Sequence, residues 1–86
     1  MVQPQNDTVH QSILAIQKAL QALQVKADNP QLMIDAEDKL HQLKLQLKEE
    51  EKSAAPQVLQ EIQQTEQQIN SILYELHHQL HQQQRL

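Results

Sequence analysis

The chain has 86 residues, which is one small domain at most, and its composition excludes several classes of function. A sequence with no glycine and no cysteine has no P-loop, no dinucleotide-binding fingerprint, no thiolate nucleophile and no cysteine-based zinc site. The formal net charge of -4, with 7 Lys and Arg scattered among 11 Asp and Glu, argues against nucleic-acid binding. We therefore predict no enzyme activity, no catalytic residues and no cofactor.

The N-terminal stretch MVQPQNDTVH has no Lys or Arg and no apolar run, unlike a secretory signal. Apolar runs such as Leu32-Met33-Ile34 are too short to cross a bilayer. A membrane-surface helix is disfavoured, because Lys and Arg do not flank a bulky apolar face that contains aromatic residues. We predict a cytoplasmic protein without a membrane partner.

The first predicted helix covers about residues 7–28, and Asn6 or Asp7 can cap its N-terminus. Its apolar residues alternate in steps of four and three, the spacing of a seam that faces a partner helix. The residues of this seam are Val9, Ile13, Ile16, Leu20, Leu23 and Ala27.

A break follows at Asp28-Asn29-Pro30, because proline can open a helix at its first position and disfavours helical geometry in the preceding residue. The second predicted helix covers about residues 31–52, and Asp35 is placed to pair with Lys39 one turn later. Its seam consists of Met33, Ala36, Leu40, Leu43 and Leu47.

The sequence KSAAPQV around Pro56 is an ambiguous boundary. Because Ala54 and Ala55 are strong helix formers, the second helix either stops here or continues into the third through a proline kink. The third predicted helix covers about residues 56–84. Its seam consists of Leu59, Ile62, Glu66, Ile69, Leu73, Leu76 and Leu80.

Three aliphatic seams joined by short connections predict an all-α fold, a small antiparallel three-helix bundle (up-down-up) with coiled-coil-like packing. The third helix is expected to be the longest, at about 42 Å against about 33 Å for each of the others. The surface is rich in glutamine, but glutamine propagates helices well and the apolar period never lapses. A folded helical domain over residues 1–86 is therefore favoured over disorder.

Four aliphatic residues outside the seams indicate a second apolar stripe. Leu14 and Val25 are eleven residues apart on the first helix, and Ile34 and Leu45 repeat this interval on the second. Eleven residues are close to three turns, so the members of each pair lie on one face. Exposed aliphatic residues are common on protein surfaces, but we prefer to interpret these four as a contact surface for another copy or another protein.

The end of the third helix is expected to extend past the other two helices. Leu76 and Leu80 would then lack partners within the chain, which predicts an intermolecular helix contact at these residues. The alternative is that the last turns fray, as chain termini often do.

The C-terminal sequence LHHQLHQQQRL places His77 and His81 four residues apart, a spacing by which a helix can offer two imidazoles to one metal ion. Two ligands do not make a stable zinc site, and Glu75 points elsewhere, so a solvated helix face is the favoured interpretation. Protonation of all five histidines near pH 6 would carry the formal charge from -4 toward +1, and assembly can respond to that change.

Glu66 is a polar residue at a seam position, and two interpretations are open. Either its stem packs at the seam edge while the carboxylate reaches water, or it pairs with Lys18 or Lys44 of another helix and sets the register. A catalytic role needs a partner in a cleft, which a narrow aliphatic bundle does not offer. Tyr74 is expected at the seam edge with its hydroxyl group in water.

Together these patterns predict a small, non-enzymatic helical protein that interacts with another protein or with itself, and we expect a homo-oligomer. The alternative is a histidine-dependent metal-binding or pH-responsive protein on the same scaffold. Heptad spacing and glutamine richness are too generic to indicate one family.

Overall fold

A computed structural model describes residues 6–25 and 29–83 as three helices that pack pairwise against one another. They are α1 (Asp7–Gln24), α2 (Pro30–Glu51) and α3 (Pro56–Gln83), and no strand occurs in these ranges. The predicted fold class is confirmed: the protein is an all-α three-helix bundle, and α3, with 28 residues, is its longest helix.

The boundaries of α1 follow from local chemistry. Asn6 is the N-cap, and its side-chain oxygen accepts a hydrogen bond of 2.9 Å from Val9 N, which satisfies one of the free donors of the first turn. The helix ends at Gln24, earlier than the predicted end at residue 28, and a bond of 3.3 Å from Val25 N to Ala22 O closes its last turn. Residues 26–28, with the predicted seam residue Ala27, lie outside the described residues, as does the predicted end of α3 at residue 84.

The connection between α2 and α3 resolves the ambiguity at Pro56. The chain leaves α2 through short-range bonds from Lys52 N to Glu49 O and from Ser53 N to Glu50 O, both 3.3 Å, which tighten the last turn. Helix α3 then starts at Pro56, where a residue without an N–H group leaves no helical donor unpaired. The alternative prediction, one continuous helix kinked at Pro56, is therefore wrong, since α2 and α3 are two helices that pack against each other.

The seams of α2 and α3 form most of the core, as their spacing predicts. Each fully buried aliphatic side chain there contributes roughly 1.5–3 kcal/mol to folding. The buried apolar residues of these two helices are Met33, Leu40, Leu43, Leu47, Ile62, Ile69, Leu73 and Leu76, with Ala36 and Leu80 packed against them.

Helix α1 is rotated relative to its predicted seam. Val9 and Ile16 are buried, but Ile13 and Leu20 keep 37% and 46% of their surface exposed. Small residues take their place in the interior because short side chains let α1 approach both neighbouring helices closely. The buried small residues are Ser12, Ala15, Ala19 and Ala22.

The prediction that Leu76 lies on a part of α3 without partners in the chain is wrong, because Leu76 is fully buried within this chain. The reason is that α2 extends alongside this part of α3, since Glu37, seven residues after the start of α2, lies beside His77. Leu80 lies one turn further on and is half-buried against the core.

A polar contact fastens the start of α1 to the end of α2. The side chains of Asn6 and Thr8 both donate hydrogen bonds to the Glu50 carboxylate. A carboxylate at a helix N-terminus is also favoured by the helix dipole. This contact joins residues more than 40 positions apart in the chain, so only the tertiary structure reveals it.

Candidate interaction surface

An open groove of about 860 Å³ runs between α1 and α2. Its described lining comes from α1, from Val25 just after it, and from α2. The groove therefore exists because two antiparallel helices meet through small side chains and leave their larger ones at the edges. Such apolar grooves between helices are a common place for a protein to bind another helix.

The walls of the groove are three leucine or valine side chains, and its floor is alanine. Leu14, Val25 and Leu32 keep 42%, 40% and 44% of their surface exposed. Ala15 and Ala22 are buried beneath them. Two of the predicted contact residues, Leu14 and Val25, thus meet in one surface.

Leu32 was not predicted as a contact residue, although its neighbours Met33 and Ile34 were assigned to the seam and to the second apolar stripe. A signal does exist in the sequence. Leu32, Ala36 and Lys39 follow one another in steps of four and three, and this stripe is offset by one residue from the seam residue Met33.

Charged groups line the edge of the groove. Asp35 accepts a hydrogen bond of 2.9 Å from Gln31 Nε2, and the predicted pair between Asp35 and Lys39 is not formed. No ion pair joins Lys18 or Lys39 to any other described residue. The edge therefore presents two cations, one on each helix, that have no ion-pair partner among the described residues, in a chain of formal net charge -4.

The other predicted contact residues lie elsewhere. Ile34 and Leu45 are exposed on α2, Leu45 at 71%, but neither lines the groove. Leu76 is in the core and Leu80 packs beside it, so neither residue lacks a partner within the chain, which was the reason for predicting an intermolecular contact there. The six predicted contact residues do not form one surface, and Leu14 with Val25 is the pair that the structure brings together.

The histidines of α3 are arranged as stacked pairs. The rings of His77 and His81 have centroids 5.7 Å apart and an interplanar angle of 23°, and Tyr74, which is largely exposed, stacks on His78. The lone pairs of an imidazole lie in its ring plane, so two stacked rings do not aim their nitrogen atoms at one point. No group of three or more potential metal ligands occurs among the described residues.

One acidic residue near the histidines was not foreseen from the sequence. Glu37 of α2 places its Oε2 atom 4.0 Å from His77 Nδ1. Glu37 is mostly buried whereas His77 is exposed, so protonation of His77 would form an ion pair at the edge of the α2–α3 interface.

Glu66 is buried, with 8% of its surface exposed, and its Oε2 atom has no hydrogen-bond partner. Burial raises the pKa of Glu66, a hydrogen bond to Glu51 and the charge of Glu51 raise it further, and Lys48 and Lys44 lower it. The interpretation in which this carboxylate reaches water is therefore wrong. Lys44 is close enough to act on Glu66, as the second interpretation expects, but no ion pair forms with any described lysine.

No family model, curated protein or solved structure matches this chain. Within residues 6–25 and 29–83, no helix combines the length and the hydropathy that a membrane span requires.

Proposed function

We propose that this chain is a small, non-enzymatic interaction module that binds another protein, or a second copy of itself, by helix-to-helix contact on the outer side of α1 and α2. One observation carries the proposal. Helix α1 buries small residues such as Ala15 at the groove and leaves the larger Leu14, with Val25 just after the helix, partly exposed along it. Folding of the chain alone does not use this aliphatic surface fully, whereas a partner helix would.

Burial of the groove's aliphatic side chains would supply part of the free energy of a contact. Leu14, Val25 and Leu32 are each a little more than half buried, so completing their burial is worth roughly 1 kcal/mol for each side chain. Because association costs at least about 4 kcal/mol of translational and rotational freedom, the apolar face of the partner must supply the rest. Three neighbouring anchors around one groove make a plausible binding centre, because binding energy concentrates in a few clustered residues.

Two measurements on matched variants test the proposal. Sedimentation over a wide concentration range detects self-association, and affinity capture from the native host followed by mass spectrometry detects other partners. The test variant is Leu14→Gln with Val25→Gln, and the control is Leu45→Gln, which changes an exposed leucine outside the groove.

We expect the double variant to lose either the concentration-dependent rise in mass or specific captured proteins, and the control to keep them. A wild-type chain that stays monomeric throughout, together with an identical captured set for the double variant, would contradict the proposal.

A pH-responsive form of the same module is a second candidate, supported by the approach of Glu37 to His77. A sedimentation series from pH 5 to 8 tests it, since protonation both forms that pair and changes the net charge. One unchanging species over the whole series would exclude it. Addition of zinc or nickel while helicity is followed separates this candidate from a histidine-dependent metal-binding protein.

A further inference from the structure

The dimensions of the α1–α2 groove match one helix. Its lining extends along α1 from Gln11 to Val25 just after the helix, fifteen residues that span about 21 Å. This is the length of about four helical turns. The alanine floor allows a third backbone to approach to the usual interaxial distance of about 8–10 Å, with Leu14, Val25 and Leu32 in contact on either side.

The charge of the groove edge selects among possible helices. Lys18 on α1 and Lys39 on α2 have no ion-pair partner among the described residues, and the one acidic side chain of the lining, Asp35, already accepts a hydrogen bond from Gln31. Several of the remaining edge positions are glutamines. The groove edge is thus basic although the chain as a whole is acidic.

A second copy is a poor occupant if it docks through the same face. Each copy would bring two lysines for one aspartate to the contact, so like charges would meet around the apolar centre. An acidic helix instead gains an ion pair at each edge of the groove once it is docked.

We infer that the α1–α2 groove binds an amphipathic helix of another protein, about four turns long, whose aliphatic face is flanked on both sides by Asp or Glu. This inference depends on the proposed function, since it names the partner of the same surface. Aliphatic residues at helical spacing in the partner would contact Leu14, Val25 and Leu32, and its acidic flanks would pair with Lys18 and Lys39.

The probe is a synthetic helical peptide of about 18 residues, built from a leucine and alanine face, glutamate flanks and glutamine elsewhere. The control peptide has lysine in place of every glutamate. Fluorescence anisotropy of the labelled peptides with the full chain measures affinity. We expect the glutamate peptide to bind at least about tenfold more tightly than the lysine peptide, about 1.4 kcal/mol, and this preference to weaken as salt is added.

Variants of the full chain locate the contact. Lys18→Glu and Lys39→Glu should each weaken binding of the glutamate peptide about fivefold and strengthen binding of the lysine peptide. Lys52→Glu makes the same change of charge at the α2–α3 turn and should alter the preference little. Leu14→Gln should weaken the binding of both peptides, whereas Leu45→Gln should weaken the binding of neither. Ellipticity at 222 nm verifies that each variant is folded.

Four outcomes would overturn the inference. If both peptides bind equally, or if the charge reversals at Lys18 and Lys39 act no more strongly than Lys52→Glu, the partner is not an acidic helix. The proposed function as an interaction module would still stand. Failure of both peptides to bind, together with self-association that depends on Leu14, would assign the groove to a second copy. Failure of both peptides without self-association, while capture still depends on Leu14 and Val25, would assign the surface to a partner of another kind.

Discussion

Helices α1 and α2 contribute to the same core with side chains of very different size. Helix α2 buries Met33 and Leu40 completely, whereas α1 buries Ser12 and Ala19 completely. The sequences of both helices contain an aliphatic seam of alternating steps, so periodicity alone does not distinguish them. A seam of large residues therefore faces the interior only where the neighbouring helices leave room for it. The partly exposed large residues of α1 remain available for another contact.

The largest test of this comparison replaces one leucine in each helix. Leu40→Ala removes a fully buried side chain and should lower the free energy of unfolding by about 2–5 kcal/mol. Leu20→Ala, at a half-exposed position that the predicted seam placed inside, should cost less than about 1 kcal/mol. Urea denaturation measures both. Equal losses would show that α1 packs through its large residues after all.

The small buried residues of α1 provide a test in the opposite direction. Ala19→Leu inserts volume at a site with no exposed surface and should destabilise the bundle by about 1–3 kcal/mol, because a packed core resists overfilling. Gln17→Leu adds a leucine on the exposed side and serves as the control. Comparable melting temperatures for the two variants would speak against a close approach of α1 to its neighbours.

Glu66 tests the polar part of the α2–α3 interface. Because its pKa is raised in the folded state, the folded chain holds this proton more tightly than the unfolded chain does. The associated stabilisation is complete at pH values below the unfolded pKa and is lost as the pH rises through the folded pKa. Glu66→Gln keeps the shape without the buried charge, so it should raise stability at neutral pH by about 1 kcal/mol and have little effect in acid.

The matched control for this experiment is Glu61→Gln, an exposed position of the same helix. Urea denaturation at several pH values compares the two variants. The groups whose charges act on Glu66 are Glu51, Lys44 and Lys48, all of which belong to α2. A Glu66→Gln chain that is less stable than wild type at neutral pH would mean that the carboxylate is satisfied by one of these lysines.

The smallest expected effect concerns the contact between α2 and the histidines. His77→Ala should change stability by less than about 0.5 kcal/mol, since the pair with Glu37 is long and His77 is exposed. Thermal unfolding of His77→Ala and of His41→Ala, an exposed histidine of α2, measures the difference.

Part of the candidate surface could be predicted from the sequence. Leu14 and Val25 were found because their eleven-residue interval is close to a whole number of turns. Leu32 was missed because it stands beside a core residue, and Leu76 was wrongly assigned because its burial depends on how far α2 extends alongside α3. Only the structure shows that Lys18 and Lys39 form no ion pair within residues 6–25 and 29–83, since the sequence also allowed a pair between Asp35 and Lys39.

The sequence by itself determined the number of helices, most of their boundaries and the inward faces of α2 and α3. Those features follow from local rules: caps, prolines and large residues repeated at helical spacing act within one segment of chain. Only the tertiary structure decided which of two stripes of α1 faces inward, because a helix with small and large residues on adjacent faces is oriented by how closely its two neighbours approach. The groove, and the partner that we infer for it, result from that choice.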